Sequence, residues 1–574
     1  MTETVHNNPN SLDATESGLR RLSQTLADAP LVFDLEGADQ AREIATELND
    51  QITDYLIPRM RRLDAPLLAV LGGSTGSGKS TITNTLAGAV VSKSGVIRPT
   101  TRAPTLICHP DDTAWFMATG DNGVLAGLPR VTGEGDPSGH VLKVTEVGTM
   151  TSGLAIIDAP DIDSVAQENR DLATQLLASA DLWLFTTTAV RYADAVPWDF
   201  LRRARDRGTS LSIIINRIPA GAAGEVVPHL AEMMAKEGFG NITVFPIEDT
   251  TLSPLGLLPE TSVSEIREQL DALAASADER AVIIRRTLDG ALRSVPDRAR
   301  LVHSAVVTQD HAVAELKSAV DHHYGSARDN LYDALTGGTL LRNEVLDRWQ
   351  ELIGVSEILA RLQSFFGRLR DRVSSMVTGR VADTAAVQGE ITNTLEQLLI
   401  DLADEAALSS VAAWRQLPGG RQTLAADTEL ERSSVELRSR AAEEIRAWQN
   451  DVLELVRTSA QGKRNLARGL AFAVNSVGVA LMIFIFSQSF GVSGAEVAVA
   501  SGTAAVSQTL LNAIFGEQAV RDLANTAQQS LLDRAGALLD TDANRFLEAL
   551  WSVAGPPDQT AELGAAITRF EESL

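Results

Sequence analysis

The sequence predicts an α/β domain with a mostly parallel sheet and helices on both faces, followed by a long all-α region that carries a hydrophobic hairpin. Three features lead to this fold class: a strand, glycine loop and helix in succession near residue 70, an uneven distribution of proline, and a long uncharged stretch near residue 480. Fifteen of the 20 prolines lie between Pro30 and Pro259, whereas only Pro296 and Pro418 fall between 260 and 555. Because proline breaks helices and marks turns, the first region should alternate strands, loops and helices, and the second should form long helices.

Length and composition limit the classes of protein. A chain of 574 residues is too long for one hydrophobic core, so two or three domains are expected. The single cysteine, Cys108, excludes an internal disulfide framework and is typical of a reducing cytosol. A net charge of -25 argues against nucleic acid as a partner, because phosphate contacts need clustered basic residues. The first residues lack the basic and apolar segments of a signal peptide and are predicted to form a disordered tail.

The glycine loop matches a phosphate-binding motif. Gly73, Gly78, Lys79 and Ser80 fit the pattern G-x-x-x-x-G-K-[ST], between an apolar strand and a helical pattern. Loop amides and a helix N-terminus attract phosphate, Lys79 adds a full positive charge, and the Ser80 hydroxyl suits Mg²⁺. The alternative, a glycine-rich turn without a ligand, is disfavoured because motif and context agree. The predicted nucleotide-binding residues of the loop are Gly73, Ser74, Thr75, Gly76, Ser77, Gly78, Lys79, Ser80 and Thr81.

Further strands should deliver polar residues to the same edge of the sheet. "GLAIIDAPD" is an apolar strand that ends in Asp158, whose carboxylate is placed to support Mg²⁺. "DLWLFTTTAV", "LSIIINRIP" and "ITVFPIE" read as later strands, and the second of them brings Asn216 and Arg217 to this edge. "RPTTRAPT", between the phosphate loop and Asp158, has threonines suited to Mg²⁺ and a terminal phosphate. Each motif alone is compatible with an ordinary loop, whereas their order and spacing together indicate a nucleotide site.

The order of phosphate loop, "PTTR", "DAPD", "NRIP" and a long helical region with a hydrophobic segment resembles the bacterial dynamin-like GTPases. The resemblance implies bound GTP or GDP with Mg²⁺, and GTP hydrolysis coupled to self-assembly and membrane remodelling. By this resemblance Lys79 and Ser80 hold the β- and γ-phosphates and Mg²⁺, and Thr101 or Thr100 is the switch threonine that reaches the metal. Asp158 opens the second switch. Asn216 would contact the guanine, with the Arg217 stem over the ring.

Three positions depart from the family pattern. Pro219 stands where an acid should accept hydrogen bonds from guanine, so guanine selectivity rests on the resemblance alone. Asp161 replaces the glycine of D-x-x-G, and its carboxylate would repel a terminal phosphate unless it turns away. Gly76 stands where eukaryotic dynamins place a serine near the attacking water, which leaves the catalytic water-positioning residue unassigned. Gln167 is a candidate for it, although a solvated helix side chain is the simpler interpretation.

Arginines are candidates for stabilising charge in the transition state. Arg98 and Arg102 flank the switch threonines, and both are assigned with Lys79 and Thr101 to the catalytic group. Arg191 follows the strand "DLWLFTTTAV" and is a third candidate. The alternative for Arg191 is a surface salt bridge to Asp194 or Asp199. The predicted metal-contacting residues are Ser80, Thr101 and Asp158.

A hydrophobic hairpin is predicted late in the chain. The 27 residues between Arg468 and Glu496 carry no charge, and residues 470 to 486 form their apolar core. A second uncharged run follows after a short polar turn. Basic residues on the cytoplasmic flank of such a hairpin would meet anionic lipid. The alternative is a hairpin buried in a helical bundle, because the second run is rich in small and polar residues. The basic residues before the first run are Lys463, Arg464 and Arg468.

These predictions combine into one architecture and one leading function. The predicted sections are a tail (1–17), N-terminal stalk helices (18–62), a GTPase domain (63–255), a helical stalk (256–460), a membrane-inserting hairpin (461–516) and returning helices (517–574). The leading function is GTP hydrolysis coupled to self-assembly and to membrane binding, tethering or remodelling, in the cytoplasm and at the cell membrane. Expected partners are anionic lipid and a second copy or a paralogous dynamin-like chain, without nucleic acid. The alternatives are a nucleotide-switched membrane scaffold with little hydrolysis and, less favoured, a ribosome-assembly GTPase.

Overall fold

The chain divides into two compact units. In the computed structural model the described residues are 9–29, 31–92, 103–119, 123–133, 140–164, 167–206, 209–240, 242–337, 384–426, 429–460, 515–555 and 559–574. The first unit comprises Met1–Leu31, Glu36–Thr308 and Pro557–Leu574, and the second comprises Val32–Leu35 and Gln309–Pro556. All strands within the described residues belong to the first unit, which therefore contains the predicted α/β domain.

An eight-stranded sheet forms the centre of the first unit. Its strands are β1 (Leu67–Gly73), β2 (Thr105–Cys108), β3 (Arg130–Thr132), β4 (Leu142–Glu146), β5 (Leu154–Asp158), β6 (Leu182–Thr188), β7 (Ser210–Ile218) and β8 (Thr243–Glu248). Their order is β3-β4-β2-β5-β1-β6-β7-β8, with only the β2–β5 pair antiparallel among the described pairings. Because parallel strands end at one edge, the segments after β1, β5, β6 and β7 meet there. The predicted mostly parallel sheet is confirmed.

Helices cover both faces of this sheet. Side chains of β1 alternate between two buried clusters, as the two-residue period of a strand requires. Within the described residues, the α-helices between β1 and β8 are α4 (Lys79–Ala87), α5 (Thr113–Met117), α6 (Gln167–Ala178), α7 (Ala195–Asp206) and α8 (Ala223–Lys236), and α9 (Ser264–Ala275) follows β8. Leu68 and Val70 join α6, α7 and α8 on one face, whereas Ala69 and Leu71 join α4 and α9 on the other.

Helices from both ends of the chain pack together in the first unit. They are α1 (Pro9–Ala27), α2 (Ala38–Gln51), a π-helical turn (Ile52–Leu56), α3 (Ile57–Arg61) and, at the other end, α15 (Gln559–Ser573). Leu19, Leu22 and Phe570 lie in one buried cluster with the first half of α10 (Ala277–Gly337). Helix α1 begins within the predicted tail, and Thr15, which is buried, donates a hydrogen bond of 2.7 Å to the carbonyl of Ser573. Residues 9 to 17 are ordered because this contact and the apolar cluster extend the helix to Pro9.

The second unit is helical. Besides the latter part of α10 it contains α11 (Thr384–Trp414), α12 (Gly420–Ala426), α13 (Leu437–Ala460) and α14 (Glu517–Ala554). Trp414 and Trp448 are buried in its core, and each indole donates to a carbonyl of a neighbouring helix at 2.8 Å. Tyr324 donates to the buried carboxylate of Asp542 at 2.8 Å. Long amphipathic helices around one apolar core match the expectation from the scarcity of proline.

Two predicted segments lie outside the described residues. Arg98, Thr100, Thr101 and Arg102 fall in the interval between residues 92 and 103. Except for its last two residues, Phe515 and Gly516, the predicted hairpin (461–516) with the basic residues before its first run falls between residues 460 and 515. Within the part of the chain that the structure describes, no helix combines the length and apolar character required to cross a bilayer. The assignments made to these two segments stay predictions.

Candidate nucleotide site

The phosphate-loop motif forms a tight turn from β1 into α4. Gly73, with φ of +148°, closes β1, and a Cβ there would lie 2.0 Å from the Thr186 carbonyl oxygen of β6. Gly78, with φ of +99°, immediately precedes α4, and a Cβ there would lie 2.3 Å from Nδ2 of Asn216. Both positions require glycine for backbone conformation and for space. The loop is therefore packed directly against the ends of β6 and β7.

Lys79 lies across the loop with its ammonium group buried. Its Nζ donates to the carbonyl oxygens of Gly73 at 2.9 Å and Ser74 at 3.3 Å, and it forms an ion pair with Asp161 at 2.5 Å. The Lys79 side chain is 5% exposed and that of Asp161 is 18% exposed. The acid that departs from the D-x-x-G pattern thus contacts the lysine that the sequence assigns to phosphate binding.

Asp158 is the last residue of β5 and lies beside Ser80, the second residue of α4. Its Oδ2 accepts hydrogen bonds from Ser80 Oγ at 2.6 Å and from Ser92 Oγ at 2.5 Å. Burial raises the pKa of the Asp158 carboxyl, while the two serine hydroxyls and the Lys79 charge act in the opposite direction. Ser92 was not singled out from the sequence, because nothing in its local pattern connects it to a residue 66 positions away. Asn84 holds the Ser92 backbone by accepting from its amide at 2.8 Å.

Several buried polar atoms around Lys79 have no protein partner. Among the described residues, Ser74 Oγ, Ser77 Oγ and Asp158 Oδ1 are buried and make no hydrogen bond. Such atoms cost free energy unless a ligand, ion or water satisfies them. A carboxylate oxygen and the Ser80 hydroxyl are oxygen ligands of the kind that Mg²⁺ prefers, usually with water completing its shell. The residues present therefore fit a Mg²⁺ ion and an anion beside the loop.

Asn216 links the predicted base-binding strand to the loop. Its Nδ2 donates to the Ser77 carbonyl at 2.8 Å, and its Oδ1 accepts from the Arg217 amide at 2.9 Å. Asn216 is buried, whereas Arg217 is exposed and has a left-handed φ of +57°. The strand end thus brings Asn216 to the loop as its position in the sequence predicted. Pro219 follows in the next turn, where its carbonyl accepts from the Ala222 amide at 2.9 Å.

Arg191 contacts the loop as well as a surface acid. It donates to Asp194 at 2.9 Å, to Asp163 at 3.0 Å and to the Thr75 carbonyl at 3.1 Å. Asp163 in turn accepts from both the amide and the hydroxyl of Thr75 at 2.6 Å. Partial burial opposes ionisation of Asp163, but the bonds from Thr75 and Arg191 prevail and lower its pKa. The surface salt bridge considered for Arg191 exists with Asp194, and the same side chain also ties Asp163 to the loop.

The remaining described candidates make no contact with Lys79 or Asp158 that the structure records. Gln167 is exposed on α6 and pairs with Asp171 at 2.7 Å, which agrees with the simpler interpretation of a solvated helix side chain. Thr81 is half-buried in the first turn of α4, and its carbonyl accepts from Thr85. Gly76 is exposed at the tip of the loop. The structure thus brings together Lys79, Ser80, Asp158 and Asn216, and it adds contacts from acids that the motifs did not assign.

Comparison with known proteins gives one curated relative and several solved structures. No family model matches the chain. A curated protein of Arabidopsis thaliana, "Probable transmembrane GTPase FZO-like, chloroplastic", is 27% identical over 173 residues, or 30% of this chain and 17% of the relative's length. This chain therefore matches less than a fifth of that relative.

Two solved structures are among those similar to this chain. One, described as an oligomerised bacterial dynamin pair with a mechanism for long-range sensing and tethering of membranes, is 11% identical with a TM-score of 0.38, covering 92% of this chain and 95% of that chain. The other is Era in complex with MgGDPNP and a fragment of 16S ribosomal RNA, 18% identical with a TM-score of 0.24, covering 36% of this chain and 56% of that chain. The resemblance to the dynamin-like GTPases, which rests on the motifs of this sequence, agrees with a curated relative named a GTPase and with a sheet built around a phosphate loop.

Proposed function

We propose that this chain is a dynamin-like GTPase that binds GTP with Mg²⁺ at the loop between β1 and α4 and hydrolyses it. The observation that carries this proposal is the group of buried polar atoms without a protein partner around Lys79. Ser74 and Ser77, both within the loop, have buried hydroxyls without a partner, and Asp158 has an unpaired oxygen on the carboxylate that contacts Ser80. Triphosphate with Mg²⁺ satisfies both kinds of group at once, because phosphate oxygens accept from hydroxyls and Mg²⁺ takes oxygen ligands.

The chain's own residues have separable roles in this proposal. Lys79 holds phosphate through its ammonium group, and Ser80 and Asp158 hold Mg²⁺, which when bound neutralises charge on the phosphates. Asn216 contacts the guanine while it keeps the loop in place through the Ser77 carbonyl. Arg191 holds Asp163 and Thr75 in the same region. Thr101, Arg98 and Arg102 are proposed to complete the site from the neighbouring segment.

Phosphate release measured with and without Mg²⁺ tests this function. Wild-type protein should release phosphate from GTP in Mg²⁺ and stop when the metal is chelated. Ser80→Ala, which removes the hydroxyl that donates to Asp158, should lower turnover by about tenfold or more, since it removes a metal ligand and a hydrogen bond. Ser439→Ala, at a serine of the second unit whose hydroxyl bonds only locally to Glu436, is the matched control. Equal turnover in Ser80→Ala and wild type would contradict the proposed site.

Membrane binding through residues 461 to 516, with self-association or a paralogous dynamin-like partner, is the second part of the proposal. It rests on the uncharged run and the preceding basic residues, and on a relative whose name includes "transmembrane GTPase". Flotation with vesicles that contain anionic lipid tests it. A charge at the centre of a membrane segment costs about 2.5 to 3.5 kcal/mol, so Met482→Asp with Phe484→Asp should leave the vesicle fraction. A wild-type protein that never floats would contradict membrane binding.

GTPase rate with vesicles distinguishes this enzyme from a scaffold. If hydrolysis is coupled to assembly on a membrane, anionic vesicles should accelerate phosphate release by the wild type, and the double substitution should abolish that acceleration while basal nucleotide binding persists. Tight GTP binding with no turnover under any of these conditions would favour the nucleotide-switched scaffold. Salt-sensitive retention of RNA would instead favour the ribosome-assembly alternative.

A further inference from the structure

In the Lys79–Asp161 ion pair, the carboxylate occupies the ammonium group that would otherwise bind a terminal phosphate. All three ammonium hydrogens of Lys79 have an acceptor: the Gly73 carbonyl, the Ser74 carbonyl and the Asp161 carboxylate. Only the last of these acceptors carries a negative charge. A phosphate that binds Lys79 must therefore share the ammonium with a carboxylate or displace it.

The contact between Asp161 and Lys79 is built into the fold on both sides of Asp161. Before it, the Ala159 amide donates to the Leu71 carbonyl at 3.1 Å. After it, Ile162 is fully buried and Asp163 holds the amide and hydroxyl of Thr75. Arg191 fixes Asp163 from the other side at 3.0 Å. The segment is thus tied to the end of β1 at Leu71 and to the phosphate loop at Thr75, and the Asp161 carboxylate contacts Lys79 between these ties.

Burial distinguishes this pair from an ordinary surface salt bridge. Exposed pairs contribute little because water screens them and because two long side chains must be ordered. Lys79 is already ordered by two carbonyls, and its side chain is 5% exposed. A pair in such surroundings is screened less, and a second anion beside it meets stronger repulsion.

We propose that Asp161 sets the preference of the site between nucleoside triphosphate and diphosphate, by acting as an internal anion that competes with the terminal phosphate for Lys79. This inference rests on the proposed function. A diphosphate brings fewer negative charges and can share the ammonium while Asp161 stays in place. A triphosphate brings further charge to the same ammonium, so its binding requires the Asp161 carboxylate to move away. The carboxylate is a repulsive element against one of two related ligands.

In this proposal, residues 159 to 163 have two arrangements. With Asp161 on Lys79, residues 159 to 163 are held against the loop, and with triphosphate bound the carboxylate is released. The equilibrium between the two arrangements lowers the apparent affinity for triphosphate by the fraction of protein in which Lys79 is accessible. Loss of the terminal phosphate after hydrolysis returns Lys79 to Asp161, which favours the diphosphate state.

Binding of two probes to charge-removing variants tests this proposal. The probes are a fluorescent non-hydrolysable GTP analogue and the corresponding GDP derivative, each with Mg²⁺. Asp161→Asn keeps the shape of the side chain without its charge, and Asp161→Gly restores the D-x-x-G pattern. Each should raise the ratio of triphosphate to diphosphate affinity by about tenfold or more, the change expected when one competing hydrogen bond to a charged group is removed. Asp171→Asn, which removes one negative charge from the exposed side of α6, should leave the ratio unchanged.

The outcomes separate this inference from the function on which it rests. Wild-type protein that binds guanine nucleotide, with an unchanged ratio in both Asp161 variants, would overturn the inference and leave the proposed function intact. Weaker triphosphate binding in both variants would overturn it too, because Asp161 would then support the terminal phosphate. Loss of folding in both variants, judged by circular dichroism, would make Asp161 a structural residue. A wild-type chain that binds no guanine nucleotide would remove the function and the inference together.

Discussion

Two ion pairs lie at opposite ends of β1, and their surroundings differ. At the amino end, Arg59 pairs with Asp181 and both side chains are fully buried. Asp181 also accepts from the Leu68 amide at 2.7 Å and the Tyr55 hydroxyl at 3.1 Å, and Arg59 donates to the Pro66 carbonyl. This pair therefore joins α3 to the starts of β1 and β6.

At the carboxyl end of the same strand, Lys79 pairs with Asp161, and this pair is less completely buried. Asp161 is 18% exposed, and polar atoms of Ser74, Ser77 and Asp158 nearby have no partner among the described residues. Full burial of both side chains makes the Arg59–Asp181 pair a structural link, although Nε and Nη1 of Arg59 have no hydrogen-bond partner among the described residues. Under the proposed function, the partial exposure of Asp161 allows the other pair to exchange with a ligand.

The largest expected effect is at the buried pair. Asp181→Ala should lower the free energy of unfolding of the first unit by about 3 to 5 kcal/mol, because it leaves the Arg59 charge buried without its partner. Denaturant unfolding followed by tryptophan fluorescence measures it. Asp297→Ala, which breaks the exposed pair with Arg300, is the control and should change stability by less than about 0.5 kcal/mol. A loss below about 1 kcal/mol for Asp181→Ala would contradict the contrast between the two ends of β1.

Removing Lys79, at the carboxyl end of β1, should weaken nucleotide binding more than it lowers the stability of the fold. Lys79→Ala should weaken binding of guanine nucleotide by about a hundredfold and abolish turnover, since hydrogen bonds to charged groups contribute about 1.5 to 3 kcal/mol each. Isothermal titration gives the affinity, and a thermal melt shows whether the fold persists. Lys236→Ala, at an exposed lysine paired with Glu232, is the matched control. Normal hydrolysis by a folded Lys79→Ala protein would remove this loop from the mechanism.

Removing the uncharged side chain of Asn216 at the carboxyl edge of the sheet should lower nucleotide affinity by a smaller factor. Asn216→Ala removes both the proposed guanine contact and the bond to the Ser77 carbonyl, so GTP affinity should fall by about tenfold.

The base preference of the wild type is a separate test. Because Pro219 provides no acidic acceptor, the wild type should prefer GTP over ATP less sharply than a protein with that acid. Competition between the two nucleotides measures this preference and the affinity lost in Asn216→Ala. Equal affinity for ATP and GTP in the wild type would indicate a nonspecific nucleotide site, and tighter ATP binding would contradict a GTPase.

The smallest expected effect concerns an acid whose neighbours are other carboxylates. Burial, together with the nearby charges of Asp54 and Glu47, raises the pKa of Asp50 to about 6. A raised pKa means that the neutral form is favoured in the fold, so the stability cost of this group is absent below about pH 4, grows as the pH rises from about 4 to 6, and is fully present above 6. Asp50→Asn should therefore raise the free energy of unfolding by about 1 to 2 kcal/mol at pH 7.5.

Stability of the Asp50→Asn variant should be measured across the pH range. Its advantage over the wild type should shrink as the pH falls through 6 and should disappear near pH 4, where the wild-type carboxyl is also neutral. Asp39→Asn, at an exposed acid in the first turn of the same helix, controls for the change in net charge. An advantage that persists unchanged at pH 4 would mean that the effect does not come from ionisation of Asp50.

Local sequence patterns determined the elements that carry the site. A phosphate loop is a contiguous motif, and apolar runs that end in a polar residue place that residue at the carboxyl edge of a parallel sheet. Lys79, Ser80, Asp158 and Asn216 could therefore be assigned to one edge before any coordinates were considered. Strands β5, β6 and β7 are predictable because each contains a buried apolar run, and β8 because its apolar residues alternate, whereas β3 and β4 are short and partly polar and lack such a pattern.

Only the tertiary structure decided which residues contact one another across long separations. The pairing of Asp161 with Lys79 spans 82 positions, that of Arg59 with Asp181 spans 122, and the contact of Thr15 with Ser573 spans 558. No periodicity or motif encodes such pairs, because they depend on strand order and on which helices pack together. The sequence by itself predicted that an acid at position 161 departs from the family pattern. The fold decided that its carboxylate lies on Lys79, since the ties at Ala159 and Asp163 hold the segment against the phosphate loop.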